Sequence, residues 1–429
     1  MVLALIICII TILLIILSIL FFPTINLGKI KLGSYWFIAM LGAIVLLLTK
    51  SVSLDGVLTA FTTNNAVNPL KILVLFITMT ILSIFLDEVG FFKYLATTVA
   101  KKLKGSQTKL FFGFYALISL LTIFTSNDII ILTFTPFICY YAKNTKINPI
   151  PYLISEFVAA NTWSMALIIG NPTNIYLSSA FGIDFITYLK TMILPTLAGG
   201  LTSLFIVYLL FRKSLNQPME SFDEFVQKPN KFLLITGLAH LIVCIIFLAI
   251  SSYINLEMYL ITLTLSISLL IITTTYLLIK RKTLVPIRAT LIRTPWNLIP
   301  FVISMFIIVL SLNENGYTKI IGDFLSNFNP IYSYGLSGAL FANLINNIPM
   351  SVLYSNIITT NIHSVYAAII ASNIAAFITP IGALAGIMWM SLLRTYSINF
   401  TFKNFMKYGL IIGIPTLLIS LTTLYIIFL

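Results

Sequence analysis

From Val2 to Phe22 the chain runs 21 residues without a charged side chain, and a helix of that length covers the roughly 30 Å of hydrocarbon in a bilayer. Comparable apolar runs recur near Gly33–Thr49, Leu70–Leu86, Tyr188–Phe211, Phe232–Ser252, Met258–Ile279, Trp296–Leu312 and Phe405–Leu429. With 59% hydrophobic and 9% charged residues over 429 positions, and a mean hydropathy of +1.05, the chain is far more apolar than a water-soluble core requires. The expected class is an all-α polytopic membrane protein. The first run has neither a basic start nor a small-residue cleavage site, so it is expected to stay as a helix. The net charge of +13 sits in short loops between apolar runs, where it reports orientation, and no nucleic-acid partner is implied. Cys8, Cys139 and Cys244 lack metal-type spacing and lie in apolar runs, so they are expected as small core residues, with no metal or cofactor.

Four longer stretches do not fit a simple span. Leu110–Tyr141 is interrupted at Ser126-Asn127-Asp128, and Ile331–Thr360 at Asn346-Asn347-Ile348-Pro349. Each is left with arms of roughly 14 residues, about 21 Å of helix, so both are expected as re-entrant hairpins with tips near the midplane. Pro151–Phe181 and His363–Arg394 are broken by Gly170-Asn171-Pro172-Thr173-Asn174 and by Ile378-Thr379-Pro380-Ile381-Gly382. These are expected as single crossings with an unwound middle. About ten transmembrane helices result. On that count 21 of the 25 Lys and Arg fall on one face, leaving Lys50, Lys71, Lys190 and Lys319 on the other, which puts the first face in the cytoplasm and both termini outside.

An internal repeat agrees with this layout. Asn68–Lys93 aligns without gaps on Thr294–Lys319, pairing Pro69 with Pro295, Glu88 with Glu314, Gly90 with Gly316 and Lys93 with Lys319; Pro195-Thr196 recurs as Pro415-Thr416. An odd number of crossings per half makes the halves inverted copies, expected at residues 1–211 and 232–429 around a cytoplasmic linker, 212–231. An inverted repeat with interrupted helices at matching positions marks a secondary transporter.

Each break is also written as a helix start. Ser126 and Asn127 precede a helix from Asp128, Asn171 precedes Pro172, Asn347 lies two before Pro349, and Thr379 precedes Pro380; such residues are preferred at the cap and first turn. Four helix N-termini, about half a unit of positive charge each, would converge on a small oxygen-rich solute. The expected substrate contacts are Ser126, Asn127, Asn161, Asn171, Thr173, Asn174, Asn346, Asn347, Asn373 and Thr379. The competing reading is of proline kinks whose Asn and Thr tie neighbouring helices. Asp128 is the single acid placed at midplane depth, where a carboxylate faces a partner or a water path. It is expected to carry the coupling proton, or else to coordinate Na+; the plainer alternative is a neutral acid capping its hairpin. Glu156 is expected near the cytoplasmic surface, solvated or paired. Glu88 and Glu314 are expected in helix-terminus roles, and His240 and His363 as packed or interfacial residues. Gly28-Lys29-Ile30-Lys31-Leu32-Gly33-Ser34 lacks the pattern of a phosphate loop. No grouped His, Asp or Glu suggests an enzyme, and a pore would repeat a filter around an axis instead of pairing broken helices.

The runs FLDEVGFF at Phe85, SNDIIILTFTPFI at Ser126, TPWN at Thr294, LINNIPMSVL at Leu344 and ITPIGALAGIMWM at Ile378 resemble the arsenical pump membrane proteins of the ion transporter superfamily, in the same order through nearly the whole chain. The resemblance implies efflux of arsenite and antimonite driven by the proton gradient or the membrane potential, in some members with a separate ATPase subunit, and an inverted-repeat fold with two hairpins and two broken helices. Transport of another small anion, Na+/H+ exchange, and pairing as a homodimer stay open. Members carry an acid in each broken helix, where this chain has Asn161 and Asn373. Trivalent arsenic is mainly a neutral trihydroxide and needs no full counter-charge. Dicarboxylate carriers of the superfamily have Ser-Asn-Thr hairpin tips, which this chain lacks.

Overall fold

The computed structural model describes residues 2–22, 24–27, 30–64, 68–220, 228–359 and 361–429, without the side chains at 20, 24–27 and 30–32. Gly28 and Lys29, the middle of the expected linker at 221–227, and Thr360 at the end of the second hairpin lie outside the described residues. The helices form two series in the same order. The first is α1 Val2–Phe21, α2 Ser34–Leu48, α3 Leu54–Thr62, α4 Pro69–Glu88, α5 Phe91–Lys102, α6 Gln107–Phe124, α7 Asn127–Thr145, α8 Ile150–Trp163, α9 Pro172–Ala180 and α10 Phe185–Leu215. The second is α11 Lys231–Ile250, α12 Met258–Ile279, α13 Val285–Arg293, α14 Leu298–Glu314, α15 Tyr317–Ser326, α16 Pro330–Ile345, α17 Asn347–Ile357, α18 Ile362–Ile374, α19 Leu384–Thr395 and α20 Phe402–Ile427. Between α1 and α2 a short hairpin, β1 Thr24–Leu27 and β2 Ile30–Gly33, pairs antiparallel. Apart from this hairpin the described residues are helices, turns and loops, the expected all-α polytopic architecture.

Local chemistry sets the starts. Asn68 caps α4 through the Leu70 N–H at 2.9 Å with Pro69 in the first turn, Asn329 does the same for α16 ahead of Pro330, and Asp184 caps α10 through Ile186 and Thr187. α5 and α15 both begin after a left-handed glycine, Gly90 at φ 89° and Gly316 at φ 81°. A Cβ at either would meet nothing within 4 Å, so the demand is on the backbone alone. Gly90→Ala and Gly316→Ala are each expected to cost roughly 1–2 kcal/mol, read as a lower thermal midpoint of the purified protein; unchanged midpoints would contradict the left-handed geometry.

The two series interlock. α2 packs on α14 and α12 on α4, while α10 and α20 run together. On that seam Ser420 Oγ donates to the Pro195 carbonyl at 3.1 Å and Gly199 makes room for Ser420 and Thr416, so the two Pro-Thr sites share it. α8 packs on both α6 and α7, and α18 on both α16 and α17. The distal part of each broken helix crosses to the other series, α9 against α17 and α19 against α7. α4 is buried all round, whereas α11 and α12 bury one seam and leave apolar faces outward, as lipid-facing helices do. Among the described residues eight helices are long and apolar enough to cross a membrane, with α2 and the stretch Ile362–Phe377 shorter but apolar. The arms of the first hairpin are longer than the pattern suggested: α6 has 18 residues and α7 has 19, because the turns continue outward to Gln107 and Thr145. Those of the second have 16 and 11.

Candidate functional site

Each hairpin tip leaves helical geometry without leaving the interior. α6 ends at Phe124 and α7 starts at Asn127; between α16 and α17, Asn346 takes φ 77°, ψ 153°, a strained backbone region that is otherwise almost confined to glycine. α8 gives way to tight turns at Ser164–Ala166 and Ile168–Gly170 before α9. Gly170 is required there, since a Cβ would lie 2.1 Å from the Ser164 carbonyl oxygen. α18 passes through a tight turn, Ala375–Phe377, and an unwound segment before α19.

One network of hydrogen bonds joins all four breaks. Asn127 Nδ2 donates to Asn161 Oδ1 at 3.0 Å. Ser164 Oγ lies 2.7 Å from the Asn161 carbonyl and 2.8 Å from Asn373 Oδ1. Asn373 Oδ1 also accepts from Asn171 Nδ2 at 3.0 Å, and Asn373 Nδ2 donates to Asn174 Oδ1 at 2.7 Å and to the Ile369 carbonyl at 2.8 Å. Thr173 and Ser372 share a hydroxyl contact of 2.9 Å. The Ser372 carbonyl accepts from Asn347 Nδ2 at 3.4 Å, the Asn347 N–H donates to the Gly382 carbonyl at 3.0 Å, and Asn346 Nδ2 donates to the Ile381 carbonyl at 2.9 Å. The Thr379 carbonyl accepts from the Gly382 N–H at 3.0 Å. The ten residues named from sequence therefore surround one centre. Ser126 adjoins it as the neighbour of Asn127; its carbonyl accepts from the Ile130 N–H at 3.2 Å, and its side chain makes no cap bond to α7.

Polarity is spent unevenly across this centre. Asn171 caps α9 through the Thr173 N–H at 3.1 Å and Asn346 caps α17 through the Ile348 N–H at 3.3 Å. Ser126 makes no such bond to the start of α7, and Ala383 has no polar side chain to offer α19. Asn127 Oδ1 and Thr379 Oγ1 are buried without partners. The Asn171, Asn174 and Asn373 side chains thus form a closed lock between the two broken helices. Near the cavity described next, the start of α7 keeps Asn127 Oδ1 unpartnered and the unwound segment before α19 keeps Thr379 Oγ1 unpartnered, and α7 and α19 pack on each other.

A cavity of about 410 Å³ opens beside them, with Ser126, Asp128 and Leu132 from α7, Leu384 and Met388 from α19, and Tyr35 from α2 in its lining. Asp128 has no hydrogen-bond or ion-pair partner among the described residues. Arg293 is the one basic side chain of the lining, and it already binds Asp87 at 2.8 Å and Glu88. A second cavity, about 330 Å³, holds Lys71, Ser178, Asp184 and Glu257 and none of the ten residues; there Lys71 pairs with Glu257.

Glu156 overturns a reading made from the sequence. It is fully buried on α8, with Thr135 Oγ1 of α7 at 2.9 and 3.1 Å from its two carboxyl oxygens. Asp87 is also largely covered, its side chain 9% exposed, so Asp128 is not the only acid inside. The signal was in the pattern: α8 is apolar on almost every side of Glu156, and such a helix is buried all round. Glu88 and Glu314 do stand at helix ends, Glu314 accepting from Ser53 N–H and Oγ at 2.8 and 2.6 Å. His240 packs between the Thr236 carbonyl and Ser268 Oγ, and His363 stacks on Phe428 at 3.9 Å. The three cysteines are buried and free.

Similar proteins agree with this architecture. A Bacillus subtilis protein provisionally named as an arsenical pump membrane protein is 27% identical over 90% of this chain and 93% of its own length. The arsenical pump membrane protein of Escherichia coli K12 is 25% identical over 81% of this chain and 84% of its own. The crystal structure of the YdaH transporter of Alcanivorax borkumensis shares the fold, with a TM-score of 0.55 at 12% identity over 99% of this chain and 96% of that one. The family model for citrate transporters, CitMHS, matches residues 30–364. A multi-pass helical membrane protein built around paired helix breaks, the chain belongs to the CitMHS family of transporters.

Proposed function

We propose that the protein is a secondary active transporter that expels arsenite and antimonite in exchange for protons or at the expense of the membrane potential. The observation that carries this reading is the unspent polarity at one end of the centre. Ser126 Oγ and Asp128 line a cavity without partners, beside two helix starts that lack side-chain caps. A neutral trihydroxide presents both donors and acceptors, so it can take hydrogen bonds from freed N–H groups and give them to Ser126 Oγ and Asp128. The relatives named as arsenical pumps support that cargo. Asp128 carries the coupling proton: a lone carboxyl lining an open cavity can exchange protons with water that enters it and reorganise when cargo arrives.

The description of the family favours citrate as a second reading. A tricarboxylate needs cations, and the one basic side chain in the cavity, Arg293, is engaged by Asp87 and Glu88. The neutral cargo fits better. The proposed halves are 1–211 and 232–429, joined by a cytoplasmic linker, with both termini outside; the matched helix order and the 21 basic residues on one face support this. Uptake into everted vesicles under an imposed proton gradient is the test, with arsenite, antimonite, Na+ and citrate as separate arms. Saturable antimonite or arsenite uptake is expected. A citrate signal without either metalloid would transfer the assignment to the second reading.

A further inference from the structure

We propose that Glu156 is a second proton-carrying carboxyl of the transport cycle, placed at the far end of the α7 face that begins at Asp128; this rests on reading Asp128 as the coupling acid. Asp128, Leu132 and Thr135 stand four and three residues apart on α7, a spacing that puts all three on one face. At 1.5 Å per residue the face runs about 10 Å from the cavity to the Thr135 hydroxyl. That hydroxyl touches both carboxyl oxygens of Glu156. Just past Thr135, Pro136 lies inside α7 and has no N–H for the Leu132 carbonyl, which is left as an acceptor between Asp128 and Thr135. Leu132 itself lines the cavity with Asp128.

The surroundings give Glu156 no fixed charge to answer. α7 brings Thr135 and Cys139 to it, and α19 brings the Trp389 indole. The other helices packed on α8, namely α6, α10 and α18, bring it no Lys, Arg or carboxylate among the described residues. A structural salt bridge is therefore not its role. An unpaired acid inside a membrane protein is costly to keep and is retained where protons move. Its neighbours α7 and α19 are the two helices that meet at the cavity, so a change in their packing reaches Glu156 directly. The step is acid–base only: the carboxyl O–H bond breaks, the Thr135 hydroxyl takes that proton as it releases its own to water reaching it from the cavity past Leu132, the water leaves as hydronium, and the reverse restores the acid.

The test is infrared spectroscopy of the purified protein in lipid, following carboxylic-acid C=O bands as pH is varied over the range in which the protein stays folded. A band that titrates in wild type, and still titrates in Asp128→Asn, is expected to disappear in Glu156→Gln. In Thr135→Val it should persist at a shifted frequency, which keeps the test intact if the Gln variant folds poorly. A Glu156 band that is present but never titrates would make the residue structural and overturn the proposal, as would no change on substitution. In proteoliposomes, protons moved per antimonite should fall in Glu156→Gln. Absence of antimonite flux in wild type would remove the cargo assignment while leaving the infrared result to decide Glu156.

Discussion

Asp128→Asn is expected to bring proton-driven arsenite and antimonite flux down to that of vesicles lacking the protein, while the thermal midpoint stays the same or rises. The carboxyl has no partner to lose among the described residues, so an amide of the same shape leaves no stranded group. What the amide cannot do is release a proton. Arg293 in the same lining is engaged by Asp87 and Glu88, and it cannot deputise as a proton carrier because a guanidinium stays charged. Full proton-coupled flux in the variant, measured alongside its midpoint, would remove Asp128 from the coupling step.

The largest stability effect is expected at the centre of the lock. Asn373→Ala removes the partner of Ser164, Asn171, Asn174 and the Ile369 carbonyl together. Hydrogen bonds between helices in membranes average about 0.6 kcal/mol and reach about 1.7, while a buried group left unsatisfied costs about 1–3. Three to four such losses give about 2–5 kcal/mol, read as a fall in the thermal midpoint that Asp128→Asn does not share. Loss of flux with an unchanged midpoint would make Asn373 a cargo contact and dissolve the distinction between the lock and the open end.

Much of this was written in the sequence because lipid leaves a chain few choices. Apolar runs had to become helices, and breaks in them had to carry Asn, Ser, Thr and Pro. Gly90 and Gly316, paired in the aligned repeat, both take left-handed conformations at the starts of α5 and α15. What the sequence could not display is how the amides are shared. Asn171 and Asn174 meet Asn373 across some 200 residues, and only the fold decides that these side chains answer each other while Asn127 keeps a free oxygen. Hairpin arm lengths were underestimated because polar residues such as Gln107 and Thr145 continue the helices past the apolar pattern. Gln107 is held there by the Gln217 and Pro218 carbonyls, a contact no local rule anticipates. Glu156 was expected to be solvated or paired near the cytoplasmic surface, but it is buried, because the fold closes other helices over every face of α8, including the Thr135 side of α7.

Anomalous scattering from arsenic in crystals soaked with arsenite tests the placement of cargo most directly. A peak within hydrogen-bonding reach of Ser126, Asn127 and Asp128, between the starts of α7 and α19, is the predicted result. A peak among Asn171, Asn174 and Asn373, one beside Lys71 and Glu257, or none at saturating arsenite would contradict it.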